Sequence, residues 1–198
     1  DKAGGWTITA SDAQPADGAI GLGDATDTLT VNPAAFDAGQ STLTVDETTR
    51  TAGESVAVTV TPKDQYGNLL GAGQTVAVFL DGSDQDHDGD ITVTHAGEGV
   101  YTASVKVTSV DDDNIISATV GGTPVTQICD ITVSPGSVDE LFCVAPDNIT
   151  AGSESNAFTV QRQDAFGNPV ASGVLVISLA SSSDSDAKEF RAISGGES

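Results

Sequence analysis

The segment 84–91, Asp84-Gln85-Asp86-His87-Asp88-Gly89-Asp90-Ile91, sets three carboxylates on alternate residues, followed by a glycine and then an aliphatic residue. That order matches the first eight positions of a D-x-D-x-D-G cation loop, with the glycine for the turn and the aliphatic side chain as anchor. Alternate spacing lets Asp84, Asp86 and Asp88 converge on one hard cation at about 2.4 Å. Calcium is the cofactor this pattern predicts. The twelfth position of such a loop calls for a bidentate Glu, and here it is His95. The remaining ligands must therefore come from elsewhere, and Asp90 and the run Asp111-Asp112-Asp113 are the candidates. The competing reading is a solvated acidic rim, which an Asp-rich chain produces without any ion.

Other reactive side chains are few. Cys129 and Cys143 are the two cysteines. Alternation points Cys129 inward beside Ile131 and Val133. Alignment of Cys143 with Thr44 points it outward, so a Cys129–Cys143 disulfide, two free thiols and a bond formed only in an assembly all stand open. Asn148-Ile149-Thr150 is an N-glycosylation sequon in a predicted turn. Trp6, the sole tryptophan, reads as a core residue of its strand rather than a sugar platform. The two histidines, His87 and His95, flank the acidic loop, and no Gly-x-Ser-x-Gly, phosphate loop or Cys-His zinc spacing occurs. Lys106 alternates outward on its strand, which argues against an internal Lys–Asn isopeptide. No enzyme is predicted.

The charge sets the partners. With 7 Lys plus Arg against 29 Asp plus Glu, the chain carries a formal charge of -22. Nucleic acid and anionic membrane attract basic surfaces and would repel this one. No run approaches the roughly 18 apolar residues that span a bilayer. The chain contains no Met, which is expected of a mature or processed segment rather than a chain as first translated.

The elements that must position these groups are strands. Short alternating runs recur between Gly, Asn and Asp punctuation, as in 56–60 (VAVTV), 76–80 (VAVFL), 101–107 (YTASVKV) and 174–179 (VLVISL). In 101–107, Tyr101, Ala103, Val105 and Val107 share one face and Thr102, Ser104 and Lys106 the other. No helical periodicity exceeds one turn. The stretch 51–68 (TAGESVAVTVTPKDQYGN) recurs at 150–168 (TAGSESNAFTVQRQDAFGN) with one inserted residue, and Thr30-Val31-Asn32-Pro33 returns as Thr132-Val133-Ser134-Pro135. Both landmarks give a period of about 100 residues, the size of an immunoglobulin-type domain. The repeated Asp-x-aromatic-Gly-Asn element reads as a hairpin corner, in which Asp and Asn satisfy backbone groups and the aromatic ring caps the core beneath.

Strand–DQYGN–strand followed by 97–107 (GEGVYTASVKV) and 118–126 (ATVGGTPVT) resembles the bacterial immunoglobulin-like repeats of invasin and intimin type, and more loosely filamin repeats. The resemblance covers residues about 40–136 and the first strands of 137–180. It implies an all-β fold of immunoglobulin-like β-sandwiches in tandem, extracellular and on the cell surface.

Alternation divides the chain into one complete domain and two partial ones. Residues 37–136 hold strands A (41–46), B (55–62), C (74–81), D (90–95), E (99–108), F (114–120) and G (124–133). Residues 1–36 hold a strand with Trp6, read as E or F, and a G-like strand at 27–31. Residues 137–198 hold A (141–145), B (156–162), C (174–180) and a D-like piece (188–193). The flanks together are nearly one domain long. They read either as a cut through a longer array or as split halves that complete each other between copies by strand addition. In this topology the C–D loop with 84–90 and the E–F loop with 111–113 meet at the pole where strand G leaves. The expected role is a structural repeat of a stalk, filament or surface layer, polymerising through its split domains and stiffened by calcium. The alternative is an adhesin module that recognises a glycan or protein. Partners are accordingly other copies, neighbouring repeats, or a host or surface ligand.

Overall fold

Val56, Val58 and Val60 alternate with Ala57 and Thr59, and Tyr101, Ala103 and Val105 alternate with Thr102 and Ser104. Branched and aromatic side chains at every second position favour extended backbone with one face buried, and these are the two central strands of the structure. The computed structural model describes residues 2–11, 24–83, 85–110, 113–144, 153, 156, 159–171, 173, 176–178 and 180. Its strands are β1 (Gly4–Ala10), β2 (Ala25–Val31), β3 (Thr42–Val45), β4 (Thr49–Thr51), β5 (Ser55–Thr61), β6 (Val76–Leu80), β7 (Gln85–Asp86), β8 (Gly89–Asp90), β9 (Thr94–Gly97), β10 (Val100–Lys106), β11 (Ile115–Val120), β12 (Thr123–Pro124), β13 (Cys129–Asp130), β14 (Thr132–Ser134), β15 (Glu140–Val144) and β16 (Thr159–Gln163). No helix occurs among the described residues. The chain divides into two compact units, Asp1–Ser134 and Pro135–Ser198.

The first unit contains an immunoglobulin-like β-sandwich. One sheet has the order β3-β5-β10-β9, and the other has β11 between β6 and the short strands β12 and β13. Their facing residues form the core: Leu43, Val56, Val58, Val60, Tyr101, Ala103 and Val105 on one side, Val78, Ile116, Ala118, Val120 and Ile131 on the other, all buried. The strands expected as B, C, E and F fall where alternation placed them, as β5, β6, β10 and β11; D, expected at 90–95, lies later at Thr94–Gly97, and G, expected at 124–133, is broken into β12, β13 and β14. Strand A, expected at 41–46, is β3; past Asp46 the chain changes sheet, so β3 pairs antiparallel with β5 while the unexpected short strand β4 runs parallel to β14. Arg50 braces the jog through Asp46 (2.5 Å) and Glu47 (2.6 Å) and donates to the Ser55 carbonyl.

Ahead of the sandwich, β1 and β2 pair antiparallel over seven residues from Gly4–Val31 to Ala10–Ala25. The Trp6 strand thus lies beside the strand read as G-like, as β11 lies beside β13 in the sandwich. The ribbon is two-faced, with Trp6, Ile8, Leu29 and Val31 on one side and Thr7, Thr9, Thr28 and Thr30 on the other. The apolar side is about half exposed, with Trp6 at 47%. Trp6 is thus not a covered core residue among the described residues. In the second unit β15 pairs with β16. The third and fourth strands expected there, 174–180 and 188–193, fall partly or wholly outside the described residues.

Candidate functional site

The acidic loop folds as a two-residue hairpin. β7 and β8 pair Gln85 with Asp90 and Asp86 with Gly89, and Gly89 takes the positive φ (+120°) that the tight return needs. Hydrogen bonds within the protein use its carboxylates. Asp86 Oδ1 accepts the Asp88 N–H at 2.8 Å, Asp86 Oδ2 accepts the Lys106 N–H at 2.7 Å, and Asp90 Oδ1 accepts Gln85 Nε2 at 2.6 Å. Lys106 Nζ lies 3.0 Å from Asp88 Oδ1. Asp86, Asp88 and Asp90 line one shallow concavity of about 280 Å³ together with Ser55, Ser104 and Lys106.

Lys106 is the residue that sequence reasoning missed. Its outward parity and its place at the end of strand E were both legible, and together they put an ammonium beside the acidic loop. Among the described residues no three Asp, Glu, His or Cys side chains come together as a metal site. Asp84, Asp111 and Asp112 lie outside the described residues. Asp113 lines a second concavity with Asp81, Gly82 and Ile115, and Asp81 Oδ1 accepts the Ile115 N–H at 2.7 Å. The C–D and E–F loops therefore meet at one pole, but Asp113 and Asp86, Asp88 and Asp90 face different hollows there. His95 lies on β9 opposite Tyr101, with ring centroids 4.9 Å apart.

The two Asp-x-aromatic-Gly-Asn turns are built alike. Asp64 is fully buried. Its Oδ1 accepts the N–H groups of Tyr66 and Asn68, both at 2.9 Å, and closes the turn around Gly67 at φ +81°. Its Oδ2 accepts Asn68 Nδ2 at 2.9 Å and the Ala34 N–H at 2.8 Å. Burial pushes this carboxyl up, but the Asn68 side chain and the three N–H donors outweigh it and hold the pKa at about 2. Asp164 repeats the arrangement. Oδ1 accepts from Phe166 N (2.9 Å) and Asn168 N (3.0 Å), and Oδ2 from Asn168 Nδ2 (2.9 Å) and Gly136 N (2.8 Å). Burial raises its carboxyl too, and the Asn168 side chain with the Gly136, Phe166 and Asn168 amides lowers it below the usual value. The aromatic ring does not cap the core in the first turn as expected, since Tyr66 is 55% exposed, whereas Phe166 in the second is half-buried.

Both cysteines are free thiols. Cys129 is half-buried, with Sγ 3.8 Å from the Leu43 carbonyl, and burial raises its pKa. Cys143 departs from its expected alignment. It pairs with Val160 as Leu43 pairs with Val60, so it holds the inward Leu43 position rather than that of Thr44, and it is exposed. Asn148 of the sequon lies outside the described residues.

No protein-family model and no curated protein sequence matches the chain. Solved structures do. The chain is similar to the FdeC adhesin of Escherichia coli at 27% identity and a TM-score of 0.50, covering 74% of this chain and 47% of that one. It is similar in fold to InvD of Yersinia pseudotuberculosis at 21% identity and a TM-score of 0.53, covering 85% of this chain and 52% of that one. The chain thus spans about half the length of these structures. The likeness to FdeC bears out the resemblance to bacterial immunoglobulin-like repeats of invasin and intimin type.

Proposed function

We propose that this chain is a non-catalytic segment of a surface stalk, in which immunoglobulin-like repeats follow head to tail and carry an adhesive tip or act as adhesive modules themselves. The supporting observation is the repeated junction. β2 and β14 each run into a proline, Pro33 or Pro135, and the N–H that follows it donates to the Asp of an Asp-x-aromatic-Gly-Asn turn, Asp64 or Asp164. A bead-on-string array needs each domain to start in the same way from the strand that ends the last. The similarity to an adhesin supports the surface placement. Brief protease treatment of intact producing cells tests it. Release of fragments containing this segment is expected, and protection until the cells are lysed would overturn it.

Three finer points belong to the same reading. The apolar side of the β1–β2 ribbon suits the missing half of a sandwich, and strands from a second copy would cover it. Sedimentation of the full chain is expected to show assembly that weakens when Trp6 and Leu29 are changed to Ser, and a strict monomer would end that part. Calcium would join the acidic pole by competing with Lys106 for Asp88. Millimolar binding by calorimetry is expected, and an unchanged melting temperature with chelator argues against it. Recognition of a glycan or host protein is the second reading, favoured by the adhesin similarity, and an array probed with the chain decides it.

A further inference from the structure

We infer that the Asp-x-aromatic-Gly-Asn turn is a linker clamp, whose carboxylate divides its two oxygens between its own turn and the segment entering from the preceding domain. A hairpin corner needs only the first oxygen. Oδ1 of Asp64 takes the Tyr66 and Asn68 amides and would complete the turn alone. Oδ2 reaches 30 residues back along the chain to the Ala34 N–H, immediately after Pro33. In the other turn Oδ2 of Asp164 reaches the Gly136 N–H, immediately after Pro135. The same oxygen does the same work twice, in two units that each fold their own turn. Asn68 extends the grip, since its Oδ1 accepts the Ala3 N–H at 2.8 Å at the entry to β1.

The linker is built to be held. Proline fixes its own φ and restricts the residue before it, Asn32 in one case and Ser134 in the other. One residue later the clamped N–H stops the next peptide from rotating. In the first junction Phe36 then bridges to Asp64, and the Asp37 N–H donates to the Lys63 carbonyl. Between Val31, the last residue of β2, and Phe36, few torsions remain free. The recognised element is a Pro followed by a small residue with a free N–H, and the recognising element is a buried, ionised Asp. This deepens the tandem-array reading and rests on it for its purpose, but the clamp is read out inside the folded chain and does not depend on where that chain resides.

Amide hydrogen exchange and ¹⁵N relaxation on the full chain test it, with Asp64→Asn and Asp164→Asn. Asn keeps one acceptor for the two turn amides and places an NH₂ where Oδ2 was, so the linker bond is lost together with the Asn68 or Asn168 side-chain bond to that oxygen. Exchange at Ala34 in D64N and at Gly136 in D164N is expected to rise about tenfold or more, with β5 and β10 amides unchanged. Ala34→Pro deletes the donor and leaves the turn whole, and it decides the matter if D64N unfolds. It is expected to raise the mobility of 32–36 on the fast timescale. Unchanged exchange at Ala34 in a folded D64N, or unchanged mobility of 32–36 in A34P, would overturn the clamp.

Discussion

Replacing Tyr101 with Phe probes how the two sheets are tied at the corner where β9 returns into β10. The ring is 5% exposed and stays in place. The hydroxyl accepts the Gln74 N–H at 2.9 Å and donates to the Gly71 carbonyl at 3.2 Å, so it anchors the connection from β5 to β6 onto β10. Phe removes one oxygen and leaves two backbone groups without partners. A dry, unpaired polar group costs about 1–3 kcal/mol. Gly71 and Gln74 are only half-buried, so water takes over part of each bond, and the combined loss works out near the bottom of the range, about 1–2 kcal/mol. For a domain of this size that lowers the melting temperature by about 4–16 °C. Urea unfolding should be followed at β10 and β11 amides, so that the second unit does not enter the signal. The midpoint should fall with its denaturant slope unchanged. Tyr66→Phe is the control, as that ring is exposed, and it should move stability by less than about 0.5 kcal/mol. A Y101F midpoint no different from that of Y66F would refute the argument, since water would then serve the corner as well as the hydroxyl.

Three further outcomes follow from the same coordinates. Gly99 is buried with φ +76°, and a Cβ there would sit 2.9 Å from the Gly71 N. Gly99→Ala should therefore cost about 2–4 kcal/mol, while Gly121→Ala, at φ +58° with open space, should cost only about 1–2. Asp64 has a folded pKa of about 2 against the ordinary 3.8. Its contribution to stability is present above pH 4 and is lost as the pH falls from there to 2, so D64N should flatten the acid-unfolding profile in that window, and an equally steep profile would count against the cause given. Exposed Cys143 should react with a thiol reagent at pH 8 at least about tenfold faster than Cys129, whose burial disfavours the thiolate. Equal rates would contradict the burial of Cys129.

The period-2 pattern made the sandwich legible because the valines of β5 and the mixed row of β10 pack on one side only, and any other register would bury Thr59 or Lys106. The short strand β4 after strand A was not legible. Residues 46–51 carry no apolar alternation, and what sets them along the other sheet is the Arg50 bridge to Asp46 and Glu47 together with pairing to β14 from more than 80 residues away. Cys143 was misplaced by one residue because no turn motif pins strand A to strand B, and a slip of one moves every side chain to the other face. At the turns, the Asp and Gly types announced a corner. The partner of Oδ2 could not be read there, since Ala34 offers only a backbone N–H and leaves no mark in the pattern.

Charge count alone treats the 29 acidic residues as equivalent, yet the structure sorts them by what donates to them. Asp64 and Asp164 collect backbone amides and an Asn side chain, and stay ionised in burial because several N–H dipoles converge on them. Asp37 holds the Gly39 and Gln40 amides with one oxygen and orders an exposed turn. Asp88 holds a lysine at the surface, an interaction worth little to stability because water screens it. Only the last kind is open to exchange with a metal ion, since giving up the ammonium costs an exposed Asp88 far less than opening a buried amide cluster would. Any cation entering the pole must therefore compete with Lys106 and not with the turns. Replacing Lys106 with Ala should strengthen calcium binding by the full chain, while D64N should leave it unchanged. If K106A binds no better than the parent in a calorimetric titration, the carboxylates of that hollow are a solvated rim.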